Sequence, residues 1–218
     1  MRTLIGMSGE MGLRERKRLR MYRSVSETAI ALFLERGFEK VSVAEIAAAA
    51  DISKPTLFRY FPAKEDLVLH RFADHEDEAA RVVTAARADG TAPLAALHRD
   101  FLDGLARHDP VTGLNDDPGV LAFHDLLYGT PSLVARLYTY LERSEEQLAG
   151  ALAAPGPPGL PDRTAAAQTV AVRRVLAQEN RRRVASGERA DAVHPDAVTH
   201  ADRAFAELRD GLPRYATA

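Results

Sequence analysis

Hydrophobic positions recur with the period of an α-helix along almost the whole chain. An apolar stripe runs through Val25, Ala29, Leu32 and Phe33, the spacing of one helical face. Gly37 then supplies a helix stop. Since no convincing run alternates polar and apolar residues as a strand does, the pattern predicts an all-α protein of about nine helices.

Two short helices are predicted after Gly37. The sequence SVAE at Ser42–Glu45 is a capping box, in which a serine hydroxyl and a glutamate satisfy free backbone N–H groups at a helix start. Ser53 is a good N-cap for a third helix, from Lys54 to about Phe61, with Pro55 in its first turn. Two short helices joined by a tight turn and preceded by a longer one form a helix-turn-helix unit.

Six further helices are predicted between breaks rich in Gly and Pro, over residues 64–87, 93–107, 120–127, 132–154, 162–186 and 196–212. The expected organisation is a disordered N-terminus at 1–13, a helix-turn-helix domain at 14–66 and a larger helical domain at 67–218.

Composition narrows the classes of protein. The chain has no cysteine, which excludes disulfides, cysteine-ligated zinc and thiol catalysis. No apolar run approaches the ~20 residues of a membrane helix, and the N-terminus has no signal-peptide core. We therefore expect a cytoplasmic protein without membrane contact.

Charge is divided unevenly along the chain. Residues 1–64 carry 12 Lys and Arg against 7 Asp and Glu, whereas residues 65–218 carry 17 against 24. This asymmetry indicates that the first third faces a polyanion.

The third helix divides into two faces. Leu57 and Phe61 are four residues apart and are expected to face inward, with Phe58 also assigned to the core. The second short helix of a helix-turn-helix enters the major groove of DNA, where lysine and arginine donate to guanine and apolar groups pack on thymine methyls. The expected base contacts are Lys54, Pro55, Thr56 and Arg59. Expected phosphate contacts are Ser42, Ser53, Tyr60 and Lys64.

The segment AIALFLERGFEKVSVAEIAAAADISKPTLFRYFPAKEDL, Ala29–Leu67, resembles the N-terminal domain of the TetR family of bacterial transcriptional regulators. About ten positions agree in order and spacing, among them Leu32-Phe33, Gly37, Ile46-Ala47, Leu57, Tyr60-Phe61 and Lys64-Glu65. The sequence departs from the family pattern in having Asp51 in place of glycine, Ser42 in place of threonine and Phe58 in place of tyrosine.

The resemblance implies a dimeric repressor that leaves a palindromic operator when a small molecule binds the larger domain. It also implies a dimer interface on the last two long helices, where Val172, Val175 and Leu176 offer an apolar patch. Pockets are mostly apolar with a few polar groups, so the pocket candidates in the middle helices are Phe101, Phe123, His124, Tyr128, Tyr138 and Tyr140. No cofactor or metal is expected.

Two other functions stay open in the sequence. One is a DNA-binding regulator that is controlled by a protein partner or lacks a small-molecule ligand. A fully packed middle domain would favour this function. The other is an enzyme, which is disfavoured because the chain has no Gly-rich phosphate loop, nucleophile elbow or metal-ligand cluster.

Overall fold

A computed structural model describes residues 13–73 and 75–217. Within these ranges the chain forms ten α-helices, two short 3-10 helices and no strand, which confirms the all-α prediction. Most of the segment predicted to be disordered, residues 1–13, lies outside the described residues. The α-helices are α1 (Leu13–Arg36), α2 (Val43–Ala49), α3 (Lys54–Tyr60), α4 (Asp66–Ala73), α5 (Glu78–Ala88), α6 (Pro93–Ala106), α7 (Pro118–Gly129), α8 (Pro131–Ala153), α9 (Leu160–Ala185) and α10 (Ala190–Gly211).

The chain divides into two compact units, with the division between His70 and Arg71. The first unit is built on α1, α2 and α3. Its core takes one apolar face from each of these helices and from the start of α4: Val25, Ala29, Phe33, Ile46, Leu57, Phe61 and Leu67 are all buried.

The second unit has its own core between α5, α6, α8, α9 and α10. Leu94, Leu97, Phe101 and Leu105 line the inner face of α6, and Phe205 of α10 packs against them. Gly113 follows a 3-10 turn with φ of 72°, and a Cβ atom there would lie 1.9 Å from the carbonyl oxygen of Ala177. The turn approaches α9 this closely because the residue is glycine.

The helices depart from the sequence prediction by more than two residues at two places. The single helix expected over residues 64–87 is two helices, α4 and α5, so the expected nine helices are ten. The interruption adjoins the polar sequence DHED at 74–77, which contains neither Gly nor Pro, the signals used to place helix ends. The last helix begins at Ala190 and not at Asp196, and Pro195 lies inside it.

Candidate DNA-binding surface and ligand cavity

The turn between α2 and α3 closes with two backbone hydrogen bonds. The N–H of Ile52 donates to the carbonyl of Ala47 at 2.9 Å, and the N–H of Asp51 donates to that of Ala48 at 3.2 Å. This is the Schellman pattern of a helix C-terminus, which places one residue in the left-handed region. Asp51 has φ of 52°, a conformation that aspartate adopts more easily than most residues with a Cβ atom. The motif therefore forms without the glycine usual in the family.

The capping box at the start of α2 is present. The hydroxyl oxygen of Ser42 accepts from the backbone N–H of Glu45 at 3.2 Å, and the Glu45 carboxylate accepts from the Ser42 N–H at 2.8 Å. Arg36 donates to the same carboxylate at 2.7 Å. These hydrogen bonds, first the one from the Ser42 backbone, lower the pKa of Glu45 to about 2. Ser42 itself is exposed, so its hydroxyl is accessible to a phosphate.

Helix α3 is capped by Ser53, whose hydroxyl oxygen accepts from the backbone N–H of Thr56 at 3.2 Å. Pro55 occupies its first turn, where the missing N–H costs no intrahelical bond. Leu57 and Phe61 are buried and fix the rotation of the helix on its own core. The cap and the two apolar anchors together decide which side chains face solvent.

The outward face of α3 contains the predicted base contacts. Lys54, Pro55 and Arg59 are exposed, and Thr56 is half-buried because its side chain hydrogen-bonds to the cap. The assignment of Phe58 to the core was wrong, since 41% of its surface is exposed. Leu57 occupies the inward position, and one residue further the helix has turned by about 100°. The Lys54 ammonium lies 5.9 Å from the centroid of the Phe58 ring.

The predicted phosphate contacts differ in their surroundings. Tyr60 is half-buried, and its ring packs edge-on against that of Tyr22 with the ring centroids 5.0 Å apart. The Arg59 guanidinium lies 5.1 Å from the centroid of the Tyr60 ring. Ser53 is exposed although it caps α3. Lys64 is half-buried and donates to the backbone carbonyl of Phe38. Sequence reasoning missed this last contact, which joins residues 26 positions apart.

Two of the three residues predicted to form the dimer patch on α9 pack within their own chain. Val172 and Leu176 pack against the core of the second unit, whereas 54% of the surface of Val175 is exposed. The arginine-rich end of α9 makes ion pairs within the chain, with Arg182 bound to Glu179 at 2.7 Å. These side chains therefore form a charged helix end beside the patch.

A cavity of about 200 Å³ lies within the second unit. Four of the six predicted pocket residues line it, namely Phe101, Tyr128, Tyr138 and Tyr140, whereas Phe123 and His124 do not. Both of these are buried elsewhere, and burial together with Arg181 lowers the pKa of His124. The remaining walls are His75, Glu76, Glu78, Ala79, Val111, Thr112, Val134, Leu137, Leu141, Ser144, Val170, Arg173, Arg174, Ala177 and Gln178.

Sequence reasoning missed the charged part of this wall. Arg173 binds Asp100 at 3.0 Å across 73 residues of chain, and burial raises the pKa of Asp100 even though Arg173 opposes the shift. Arg174 donates to the side-chain oxygen of Gln178 at 3.2 Å. The only local signal was the spacing of Arg174 and Gln178, which places both on one face of α9.

The acidic side chains of the cavity wall each have a partner. Glu76 accepts from Arg143 at 3.3 Å. Glu78 lies 3.0 Å from His75, and this hydrogen bond is the main cause of the lowered pKa of Glu78. Burial raises the pKa of Tyr128.

Among the residues that the structure describes, no group of three or more His, Cys, Asp or Glu side chains is placed to hold a metal ion. In the same part of the chain, no helix is both long and apolar enough to cross a membrane.

These features define a helix-turn-helix protein whose second, helical unit contains a cavity. Residues 26–70, which include the helix-turn-helix, match the family described as bacterial regulatory proteins, tetR family. The HTH-type transcriptional regulator TcmR of Streptomyces glaucescens is 35% identical over 137 residues, which are 62% of this chain and 58% of TcmR. The nucleoid occlusion factor SlmA of Haemophilus influenzae is 30% identical over 124 residues, 56% of this chain and 54% of SlmA. The chain spans a little over half the length of these curated relatives.

Two solved structures illustrate the shared fold. NalD of Pseudomonas aeruginosa, the secondary repressor of the MexAB-OprM multidrug efflux pump, has a TM-score of 0.55 at 16% identity and covers 86% of this chain and 97% of its own. FadR of Thermus thermophilus, a TetR-family transcriptional repressor in complex with lauroyl-CoA, has a TM-score of 0.50 at 20% identity over 88% and 94%. At these identities the likeness concerns the fold.

Proposed function

We propose that this protein is a dimeric, sequence-specific transcriptional repressor that a small molecule releases from a palindromic operator. The observation that carries the DNA-binding part is the exposure of Lys54, Pro55 and Arg59 on α3, while Leu57 and Phe61 hold the same helix on its core. The excess of basic residues before residue 65 supports the same partner. Its place of action is the bacterial cytoplasm, where that DNA is found.

Base reading is assigned to the outward side chains of α3. Lysine and arginine donate to the N7 and O6 atoms of guanine, and the ring of Pro55 and the methyl of Thr56 suit thymine methyl groups. Ser42, Ser53, Tyr60 and Lys64 are assigned to backbone phosphates, which position the domain without reading sequence.

Two copies are needed to read a palindrome. We assign the dimer contact to α9 and α10, with Val175 as the exposed apolar residue and Val172 and Leu176 beside it. A two-fold axis there would present two α3 helices to half-sites about 34–36 Å apart.

The cavity supports a small-molecule effector over control by a protein partner alone. Its wall includes His75, Glu76, Glu78 and Ala79, near the start of the second unit, so a ligand there contacts the chain soon after it leaves the DNA-binding unit. A ligand that shifts the protein from 99:1 to 1:99 needs ~5.5 kcal/mol of differential affinity for the two states. The fold neighbour FadR holds lauroyl-CoA, and its ligand is an example of such an effector.

The DNA-binding part is tested on an operator selected from a random duplex library with the unaltered protein. Lys54→Ala with Arg59→Ala is expected to remove most of the preference for this operator, because each good base contact discriminates by about 1–3 kcal/mol. Arg99→Ala with Arg107→Ala removes equal charge from exposed positions of the second unit and is the control. Fluorescence anisotropy with selected and scrambled duplexes measures both; an unchanged preference in the α3 variant would refute the assignment.

A further inference from the structure

Arg174 is a half-buried cation on the cavity wall without a carboxylate partner. Its hydrogen bond goes to the neutral side chain of Gln178 at 3.2 Å, and within the described chain it forms no ion pair under 4.0 Å. A guanidinium has five N–H donors, so the single bond to Gln178 leaves most of them unused. A charge partly removed from water normally has a counter-ion.

Two of the other charged side chains of the wall have charged partners, and Glu78 lies 3.0 Å from His75, which is charged only when protonated. Arg173 is paired with Asp100, and Glu76 with Arg143. Glu145 lies close enough for Arg174 to oppose the rise in its pKa, which burial and Glu142 cause, yet the two form no ion pair. Arg174 is therefore the arginine of the cavity wall that has no ion-pair partner within 4.0 Å among the described residues.

A second arginine stands behind the same end of the cavity. The Arg181 guanidinium lies 4.3 Å from the centroid of the Tyr128 ring, and its buried Nε has no hydrogen-bond partner. Tyr128 lines the cavity, and its hydroxyl has no hydrogen bond within the described residues. Arg181 and Arg174 are both close enough to oppose the rise in the pKa of Tyr128 that burial causes, and a phenol O–H near two guanidiniums suits a bound anion.

Besides these charged groups and the hydroxyls of Thr112 and Ser144, much of the wall is apolar and partly aromatic. Phe101, Val134, Leu137, Val170 and Ala177 contribute hydrocarbon surface, which has no partner for additional polar atoms. The ligand must thus combine one anionic group with an apolar body. Because a planar guanidinium matches the two oxygens of a carboxylate, the anionic group is best satisfied as a carboxylate.

We propose that the cavity takes an aromatic carboxylic acid, with its carboxylate on Arg174 and the Tyr128 hydroxyl and its ring system against Phe101, Leu137 and Val170. The inference deepens the proposed function, since it names the chemical class of the effector. The effect of the ligand on operator binding rests on that proposed function, whereas binding of the ligand in the cavity is measured without DNA.

The probes are 2-naphthoate and 2-naphthamide, which share size and ring system and differ in charge. Isothermal titration of the full chain is expected to show 2-naphthoate binding about 10-fold or more tighter, since a hydrogen bond to a charged group is worth about 1.5–3 kcal/mol. Equal affinities, tighter binding of the amide, or no binding of either probe would overturn the proposal.

Three variants locate the preference. Arg174→Gln is expected to bring the two affinities within about threefold of each other. Arg174→Lys is expected to keep part of the preference, because lysine retains the positive charge but lacks the planar guanidinium. Arg99→Gln removes an exposed charge outside the cavity and should retain the full preference. Far-UV circular dichroism verifies folding, and if Arg174→Gln does not fold, Tyr128→Phe replaces it, with a reduced preference expected. A folded variant at Arg174 that retains the full preference would overturn the assignment.

DNA binding is measured separately on the selected operator. Discrimination between naphthoate and naphthamide without any operator binding would leave the carboxylate site standing and refute the proposed function. Operator binding without discrimination would refute only the carboxylate site.

Discussion

The ammonium of Lys64 donates a hydrogen bond of 2.5 Å to the backbone carbonyl of Phe38 and lies 4.3 Å from the centroid of the Phe38 ring. The contact joins the turn before α4 to the segment that follows α1. A lysine ammonium has three donors, so two remain for a DNA phosphate. Lys64 therefore has a structural role in addition to its expected phosphate contact.

Lys64→Ala is expected to lower both stability and DNA affinity. The lost hydrogen bond and cation–π contact should reduce the free energy of unfolding by about 1–2 kcal/mol, measured by urea unfolding with far-UV circular dichroism. Affinity should fall for all DNA sequences alike, with a salt slope smaller by about one. Lys40→Ala, at an exposed position of the same unit, is the stability control. A salt slope that does not change would assign Lys64 to structure alone.

Neighbouring residues of α3 should respond in opposite ways to truncation. Leu57→Ala is expected to cost about 2–5 kcal/mol of unfolding free energy, because it empties a fully buried position. Phe58→Ala should change stability by only about 0.5 kcal/mol, since surface substitutions have small effects and the ring is exposed. Urea unfolding of both variants provides the comparison. A loss at Phe58 as large as that at Leu57 would contradict the exposed position of the ring.

The sequence alone predicted those features of the fold that depend on residues close together in the chain. The capping box of Ser42 and Glu45 and the cap of Ser53 follow from residues three positions apart, and the spacing of Leu57 and Phe61 gave the inward face of α3. Phe58 was misplaced because hydrophobicity was weighed above its angular position on the helix.

Contacts between distant residues were not accessible in this way. Lys64 meets Phe38 across 26 residues and Arg173 meets Asp100 across 73, and no periodicity encodes either pair. The same holds for the cavity. The aromatic residues that line it were predicted from residue type, but the sequence does not indicate that Arg174 and Gln178 of α9 line the same cavity as Tyr128.

Asp51→Gly is expected to stabilise the first unit. Asp51 has φ of 52°, and glycine adopts this left-handed conformation without the ~1–2 kcal/mol that a Cβ atom costs. Thermal unfolding followed by far-UV circular dichroism should show a higher midpoint. Asp89, which follows α5 with φ of −97°, is the matched control, because glycine at that position relieves no strain and only raises the conformational entropy of the unfolded chain. Equal effects at the two positions would show that Asp51 is not strained.

The hydroxyl of Tyr215 donates to the buried carboxylate of Asp162 at 2.7 Å. This bond, followed by the one from the Gly159 N–H, holds the pKa of Asp162 below its usual value. Burial, followed by the hydrogen bond to Asp162, raises the pKa of Tyr215. The interaction thus requires an ionised carboxyl and a protonated phenol.

Tyr215→Phe is accordingly expected to cost stability in a window of pH. A depressed folded-state pKa contributes stability that is present above the unfolded value, about 3.9 for aspartate, and is lost as the pH falls through the folded value. A raised tyrosine pKa contributes stability that is fully present below the unfolded value, about 10, and is lost as the pH rises through the higher folded value. The difference between unaltered protein and Tyr215→Phe should therefore be about 1 kcal/mol near pH 7 and shrink towards both extremes. Urea unfolding from about pH 2 to about pH 11 spans the loss at both ends, and a difference that did not change with pH would mean that lost packing, and not the hydrogen bond, sets the cost.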